Sequence, residues 1–357
     1  MSREAPFVKL RRSLLVPTLC AALAVPLAAA DGAVGVKHDD RVHAVPDPGV
    51  LDRMATPMGD KFTGTNGHEY AYAPLAVKGR KGWLYYGADF DNACSLGGPG
   101  LKKATEQLAR TANIIRESGR RVIWTMAPNK SLVLSKYVKS KRYPHGECDG
   151  HGLAAQAKIM RDYDSPGYLP MLAPLTNSKH QTYWKTDPHW STVGGAVFAK
   201  EVAKALNPRL GKIQRSHYGA ETGVGALNLL RGVNTPETLE RAYPATHVRV
   251  TQLPSESPWT GYPELTFDTS WETKPARKTW PGKTLIVGDS FSMFGLESLR
   301  PLFRHGRWMW FAHVAPQDLV QAIKEADTVV LEVFELYVPN SDMSAKEFQT
   351  ELKRALG

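Results

Sequence analysis

The hydrophobic pattern of the chain consists of short, continuously apolar runs separated by stretches in which apolar residues recur every three or four positions. The first kind of run predicts buried strands, and the second predicts amphipathic helices. Predicted strands cover residues 83–86, 121–127, 284–288, 308–314 and 328–334, and predicted helices cover 101–115, 152–162, 193–206, 317–325 and 344–356. Strands that alternate with helices indicate an α/β fold with a mostly parallel central sheet covered on both faces.

Two regions have a less regular pattern. Residues 168–175 are apolar without clear periodicity, and we interpret them as a further strand. Residues 213–280 mix β-like pieces at 247–253 and 264–271 with Pro and Gly turns. This mixture predicts an insertion that lies over the sheet.

The N-terminal segment has the composition of an export signal. Basic residues precede an apolar run over 14–27 that is too short to span a bilayer comfortably, and three alanines at 28–30 offer a cleavage site. We therefore predict a signal peptide over 1–30, a flexible linker over 31–60 and a domain over 61–357. The predicted location is secreted or extracytoplasmic, in a periplasm or at a cell surface. An uncleaved N-terminal segment that tethers the domain to the membrane is the alternative.

The charge of the chain bears on its partner. The formal net charge is +10, without a polybasic block. Such an excess favours an anionic polymer or a membrane surface. Nucleic acid is disfavoured as a partner by the export signal.

The cysteine content has two interpretations. Removal of Cys20 with the signal peptide leaves Cys94 and Cys148, and an even count in an oxidising compartment predicts one disulfide. His145, Cys148 and His151 are also spaced like metal ligands, so a zinc site is the competing interpretation. A zinc site needs a fourth ligand and a free thiolate, which favours the disulfide. We predict no metal and no cofactor.

A candidate nucleophile follows the strand predicted over 284–288. The sequence there is Gly288-Asp289-Ser290. A serine at a turn from strand to helix presents its hydroxyl at the carboxyl edge of the sheet, where the sites of open α/β folds lie. The alternative is that Asp289 and Ser290 serve only to cap the helix.

A candidate base lies in the upstream stretch Asp187-Pro188-His189. An aspartate two residues before a histidine can direct its carboxylate at the Nδ1–H of the imidazole, which leaves Nε2 free for Ser290. Packing of His189 between Trp184 and Trp190 is the alternative. Together the two stretches supply a nucleophile, a base and an orienting acid.

With these stretches the sequence resembles the AlgX/AlgJ-like alginate O-acetyltransferases, a branch of the SGNH hydrolase superfamily. The similarity covers most of residues 78–335. Its motifs are Gly79-x-x-Gly82-Trp83-Leu84-Tyr85, Pro128-x-Lys130, Tyr183-x-x-Thr186-Asp187-x-His189-Trp190-x-x-x-Gly194 and Val287-Gly288-Asp289-Ser290-Phe291. The resemblance implies a three-layer, flavodoxin-like SGNH fold with a permuted motif order, because the Asp-x-His element precedes the serine.

The resemblance also implies roles for single residues. Ser290 is the expected nucleophile, His189 the general base and acid, and Asp187 the orienting carboxylate. The backbone N–H of Ser290 is the first candidate for the oxyanion hole, and Asn129 is the second, with turn formation as its alternative. Substrate-binding candidates, for which core packing is the alternative, are Tyr183, Trp184, Trp190 and Lys130.

The expected function is therefore an exported O-acetyltransferase. Its acceptor would be an anionic exopolysaccharide or cell-wall glycan, and the resemblance implies that a membrane-bound O-acyltransferase delivers the acetyl group. A secreted carbohydrate acetyl esterase is the first alternative, because transferase and esterase share the same triad. A glycan-binding protein with a degenerate site is the second.

Overall fold

The structure is a computed structural model that describes residues 61–138, 141, 143–244, 248–253 and 267–357. The predicted signal peptide (1–30) and linker (31–60) lie outside the described residues, and so do parts of the predicted pieces at 247–253 and 264–271. No helix among the described residues is both long enough and apolar enough to cross a membrane.

The strands and helices are numbered in chain order. The strands are β1 (Lys61–Thr63), β2 (Glu69–Ala71), β3 (Ala76–Lys78), β4 (Leu84–Tyr86), β5 (Arg121–Ala127), β6 (Ser216–Gly223), β7 (Glu237–Pro244), β8 (Arg249–Gln252), β9 (Asp268–Lys274), β10 (Trp280–Gly288), β11 (Phe303–Trp310) and β12 (Thr328–Phe334). The helices are α1 (Gly87–Glu117), α2 (Lys130–Val133), α3 (Glu147–Asp162), α4 (Leu172–Thr176), α5 (Thr192–Leu206), α6 (Pro208–Ile213), α7 (Ala226–Leu229), α8 (Ser290–Leu299), α9 (Pro316–Glu325) and α10 (Lys346–Leu356).

The central sheet has six strands in the order β5-β12-β10-β11-β9-β8. The first four run parallel, whereas β9 is antiparallel to β11 and β8 is antiparallel to β9. Strand β10 lies inside the parallel part, where Leu285 pairs with Arg307 on one side and Val329 on the other. Its residues 284–288 are buried, as expected for a strand covered on both faces. The predicted α/β fold with a mostly parallel sheet is confirmed.

The helices pack in two groups. Helix α8 lies against α5, while α10 lies against α1 and α9. Each group buries an apolar face. The buried residues are Leu319, Ile323, Phe348 and Leu352 in the group of α9 and α10, and Phe198 and Val202 of α5 in the other group.

The observed elements correct three details. The prediction of a strand over 168–175 is wrong, because Tyr168 forms only an isolated bridge with Trp124 and helix α4 follows. The strand predicted over 308–314 instead spans Phe303–Trp310. Within 213–280, β8 and β9 extend the central sheet itself, and β6 and β7 form a separate hairpin.

The parallel strands determine where polar residues can gather. Phe334 is in register with Ala127, and Gly288 is in register with Trp310, so the four parallel strands end at one edge of the sheet. The segments that follow these strands therefore meet at this edge, and one of them contains Ser290.

Candidate active site

Ser290 is the first residue of α8, directly after β10. Asp289 is the N-cap of the helix, and its Oδ1 accepts a hydrogen bond from the Phe291 N–H at 2.9 Å. The capping interpretation therefore describes Asp289. It does not describe Ser290, whose hydroxyl faces the loop that contains His189.

The structure brings the three predicted triad residues together. The Nε2 of His189 lies 2.9 Å from the Oγ of Ser290, and its Nδ1 lies 2.7 Å from Oδ1 of Asp187. All three side chains are buried. This hydrogen-bonded chain has the connectivity that an activated serine requires.

Asp187 is held by more than the imidazole. Its Oδ1 also accepts from the His189 N–H at 2.9 Å, and its Oδ2 accepts from the Ala226 N–H at 2.8 Å. Burial raises the pKa of Asp187, but the charge of His189 and these hydrogen bonds outweigh burial and lower the pKa. An ionised Asp187 keeps a proton on Nδ1 of His189, so Nε2 is left to accept the proton of Ser290.

The loop from 183 to 191 is fixed at both ends. Tyr183 and Trp190 form a bridge across it, and the Nε1–H of Trp190 donates to the Phe291 carbonyl at 2.7 Å. This bond ties the loop with the base to the helix with the nucleophile. The Tyr183 hydroxyl donates to the Pro128 carbonyl.

These contacts favour the packing interpretation for two of the predicted substrate-binding residues. Tyr183 and Trp190 are 0% exposed, and their polar atoms are bonded inside the protein. They pack the loop, which was the alternative interpretation from the sequence. Trp184 is only partly buried, and its ring lies beside Gly223, so its role in substrate binding stays a prediction.

Lys130 also supports this loop. Its Nζ donates to the carbonyls of Trp184, Lys185 and Asp187 at 3.1, 3.2 and 2.6 Å. Its side chain is buried, and burial lowers the pKa of Lys130 to about 8. An ammonium group has three donors, and all three are used here. These contacts favour a structural role for Lys130, and its role in substrate binding stays a prediction.

Asn129 has the contacts of a helix cap. Its Oδ1 accepts from the Leu132 N–H at 2.9 Å and from the Ser131 hydroxyl at 2.7 Å, and its amide donates to Glu335 at 2.8 Å. These bonds agree with the turn-forming alternative. A role of Asn129 in the oxyanion hole stays a prediction.

Sequence reasoning missed a set of buried carboxyl groups near this edge. Glu335 accepts from the amides of Asn92 and Asn129, and burial raises its pKa to about 7. Asp89 and Glu332 are also buried, and burial raises the pKa of both well above the usual range. The available signal was the pair of acidic residues in the strongly apolar run 328–335, since charged residues are rarely buried without a partner.

A disulfide joins Cys94 and Cys148. The thiol of Cys148 is therefore not free to bind a metal, and the competing zinc interpretation is wrong. Among the described residues, no group of His, Cys, Asp and Glu side chains is arranged to hold a metal ion.

The fold and the site together define an SGNH hydrolase-like α/β domain. The family described as "SGNH hydrolase-like domain, acetyltransferase AlgX" matches residues 76–293, and the chain belongs to this family. No curated protein sequence matches the chain significantly.

Solved structures share the architecture. Bacillus cereus PatB1 is 12% identical, with a TM-score of 0.50, over 76% of this chain and 99% of that chain. PatB1 with a sulfonyl adduct is 12% identical, with a TM-score of 0.51, over 75% and 98%. The O-acetyltransferase domain of Pseudomonas putida AlgJ is 19% identical, with a TM-score of 0.47, over 79% and 99%. At these identities the two PatB1 structures show a similarity of fold alone.

Proposed function

We propose that this protein is an O-acetyltransferase that carries the acetyl group on Ser290 and passes it to a hydroxyl group of a polysaccharide. The observation that supports this most directly is the hydrogen-bonded chain from Ser290 Oγ through His189 to Asp187. Membership of an acetyltransferase family supports the choice of an acetyl group.

In the first half-reaction, Nε2 of His189 takes the proton of Ser290 while Oγ attacks the carbonyl carbon of an acetyl ester. The negative charge that develops on the carbonyl oxygen requires hydrogen-bond donors, and the backbone N–H of Ser290 is the first candidate. When the bond between the carbonyl carbon and the leaving alcohol breaks, His189 returns the proton to that alcohol. The product is an acetyl-Ser290 enzyme.

In the second half-reaction, a sugar hydroxyl takes the place of the leaving alcohol. His189 removes its proton, the sugar oxygen attacks the acetyl carbonyl, and Ser290 Oγ leaves and regains a proton from His189. Asp187 stabilises the imidazolium that forms in each half-reaction, because its lowered pKa keeps it ionised. Water in place of the sugar would give acetate, which is the esterase alternative.

The location and the partners of the proposed enzyme are inferred from the sequence. A signal peptide over 1–30, a linker over 31–60 and a domain over 61–357 would place the site outside the cytoplasm. The positive net charge suits an anionic polysaccharide. Because acetyl-CoA is a cytoplasmic donor, a membrane-bound O-acyltransferase would supply the acetyl group.

The deciding experiment offers the enzyme a soluble acetyl ester together with uronate-containing oligosaccharides, and mass spectrometry follows both products. The proposal expects acetylated oligosaccharide with the wild type and none with Ser290→Ala or His189→Ala. Ser298→Ala, further along α8, is the matched control and should transfer normally. Free acetate without acetylated sugar would show an esterase. A protein that binds the oligosaccharide but never acquires an acetyl group would be the glycan-binding alternative.

A further inference from the structure

The turn that presents Ser290 rests on a second acidic side chain, Glu332 of β12. Its Oε2 accepts from the Ser292 N–H at 2.9 Å and from the Asp289 N–H at 3.3 Å. Gly288 allows this approach, because a Cβ at that position would lie 2.9 Å from Oε2 of Glu332. Such a distance is shorter than a carbon–oxygen contact tolerates.

Asp289 holds the same turn from the other side. Its Oδ1 accepts from the Phe291 N–H, and its Oδ2 accepts from the Phe334 N–H at 2.7 Å. Asp289 and Glu332 therefore bind the N–H groups of residues 289, 291 and 292. Among the described residues, no acceptor is bonded to the intervening N–H of Ser290, which a first-turn helical residue cannot bond within its own helix.

Ser292 connects this arrangement to the neighbouring strand. Its Oγ donates to the Asp289 carbonyl at 2.9 Å and accepts from the Trp308 Nε1–H at 2.9 Å. The start of α8 is thus fixed by side chains from both strands that flank β10. Oε1 of Glu332 is buried without a hydrogen-bond partner among the described residues, a costly arrangement for an acidic side chain.

Burial and neighbouring charge shift the pKa values of Asp289 and Glu332. Burial raises the pKa of Asp289 to about 6, and burial with the charge of Asp289 raises the pKa of Glu332 well above the usual range. Burial and the charge of Asp289 both disfavour the ionised form of Glu332. A neutral Glu332 can still accept the N–H groups of the turn through Oε2.

We propose that Glu332 is a positioning residue for the acylation step, which fixes the start of α8 so that Ser290 Oγ meets His189 Nε2 and the Ser290 N–H stays free for the oxyanion. This inference rests on the proposed function and adds a residue to it. Glu332 acts through backbone N–H groups and does not contact the reacting atoms.

The test measures single-turnover acylation of Ser290 by p-nitrophenyl acetate, from the burst of p-nitrophenolate, and then acetyl transfer to oligosaccharide. Glu332→Gln keeps an acceptor oxygen for the N–H groups of Asp289 and Ser292, so its acylation rate should stay within about threefold of wild type. Glu332→Ala removes the acceptor, and its rate should fall roughly 100-fold without a matching rise in acceptor KM, as expected for a misplaced nucleophile. Val330→Ala on the same strand, also buried, is the matched control for a cavity in β12 and should acylate normally.

The inference is overturned if Glu332→Ala acylates as fast as Val330→Ala, or if Glu332→Gln loses as much as Glu332→Ala. Circular dichroism and thermal melting of each variant ensure that rates are compared between folded proteins. A wild type that acylates on Ser290 but never transfers to sugar would refute the transferase and leave the Glu332 comparison valid. A wild type that never acylates would refute both.

Discussion

The contacts of Lys130 make a prediction that separates positioning from substrate binding. Lys130→Met keeps most of the length of the side chain but removes the ammonium donor from the carbonyls of Trp184, Lys185 and Asp187. The Lys185 carbonyl keeps the Leu84 N–H as a donor. The three carbonyls belong to the loop with Asp187 and His189. The substitution should therefore impair acylation without direct loss of a substrate contact.

The change in the free energy of unfolding on Lys130→Met follows from two opposing effects. Each buried carbonyl left without a donor costs about 1–3 kcal/mol, or roughly 2–6 kcal/mol for the carbonyls of Trp184 and Asp187 together. The pKa of Lys130 falls from 10.5 to about 8, so removal of its buried charge returns about 3 kcal/mol. The net loss of stability is therefore at most about 3 kcal/mol, which should lower Tm by no more than about 10 °C. A loop displacement of about 1 Å should lower kcat roughly 100-fold.

The assay is steady-state acetyl transfer with varied oligosaccharide, together with differential scanning calorimetry. Lys136→Met is the matched control, because Lys136 lies close by in the sequence but is exposed. The expected result is a lower kcat with a nearly unchanged acceptor KM and a Tm that falls by no more than about 10 °C. A raised acceptor KM with unchanged kcat and Tm would contradict the positioning role of Lys130 and support a role in substrate binding.

Three further predictions concern other parts of the molecule. Asp187→Asn should lower kcat by about 10³–10⁴ with the fold intact, because an amide neither stabilises the imidazolium nor favours the required tautomer. Steady-state kinetics measures the change in kcat and circular dichroism checks the fold. An unchanged kcat would exclude Asp187 as the orienting carboxylate. Burial raises the pKa of Glu335 from 4.5 to about 7, so the native state binds more protons than the unfolded state between these values and the free energy of unfolding falls as pH rises through them. Glu335→Gln should flatten that decrease in urea titrations at several pH values, and an equal slope in both proteins would contradict it. Replacement of Cys94 and Cys148 by Ser opens a loop of 54 residues and should lower the free energy of unfolding by about 4 kcal/mol in the chain-entropy model. Urea denaturation measures this loss, and a loss near zero would contradict the prediction.

Much of the fold is predictable from the sequence because the strands of the parallel sheet are buried on both faces. The runs at 121–127 and 328–334 coincide with β5 and β12. The start of α1 was missed because the chain leaves the helical conformation at Gly97, with φ of 53°, which interrupts the apolar periodicity. The strands β8 and β9 were not recognised as part of the sheet. They lie at its edge, and their alternating exposure resembles that of a surface insertion.

The site was predictable to the extent that its chemistry lies in short local motifs. Asp187 and His189 are two residues apart, so their contact follows from local geometry. Their pairing with Ser290 followed from the resemblance to a family that has both motifs. The supporting residues come from separate elements. Lys130 follows β5, and Glu332 lies on β12, so only the assembled sheet shows what they contact. Tyr183 and Trp190 were predicted to bind sugar because they flank His189 in the sequence. Aromatic side chains suit both a buried core and a carbohydrate site, so the sequence alone does not separate the two roles.

Activation of the Ser290 hydroxyl by His189 can be measured by fluorophosphonate labelling. Wild type and His189→Ala are treated with the reagent, and the modified peptide is identified by mass spectrometry. We expect a single label on Ser290 in the wild type and almost none in His189→Ala. Labelling of Ser290 at the same rate in both proteins, or no labelling of Ser290 in the wild type, would contradict this activation.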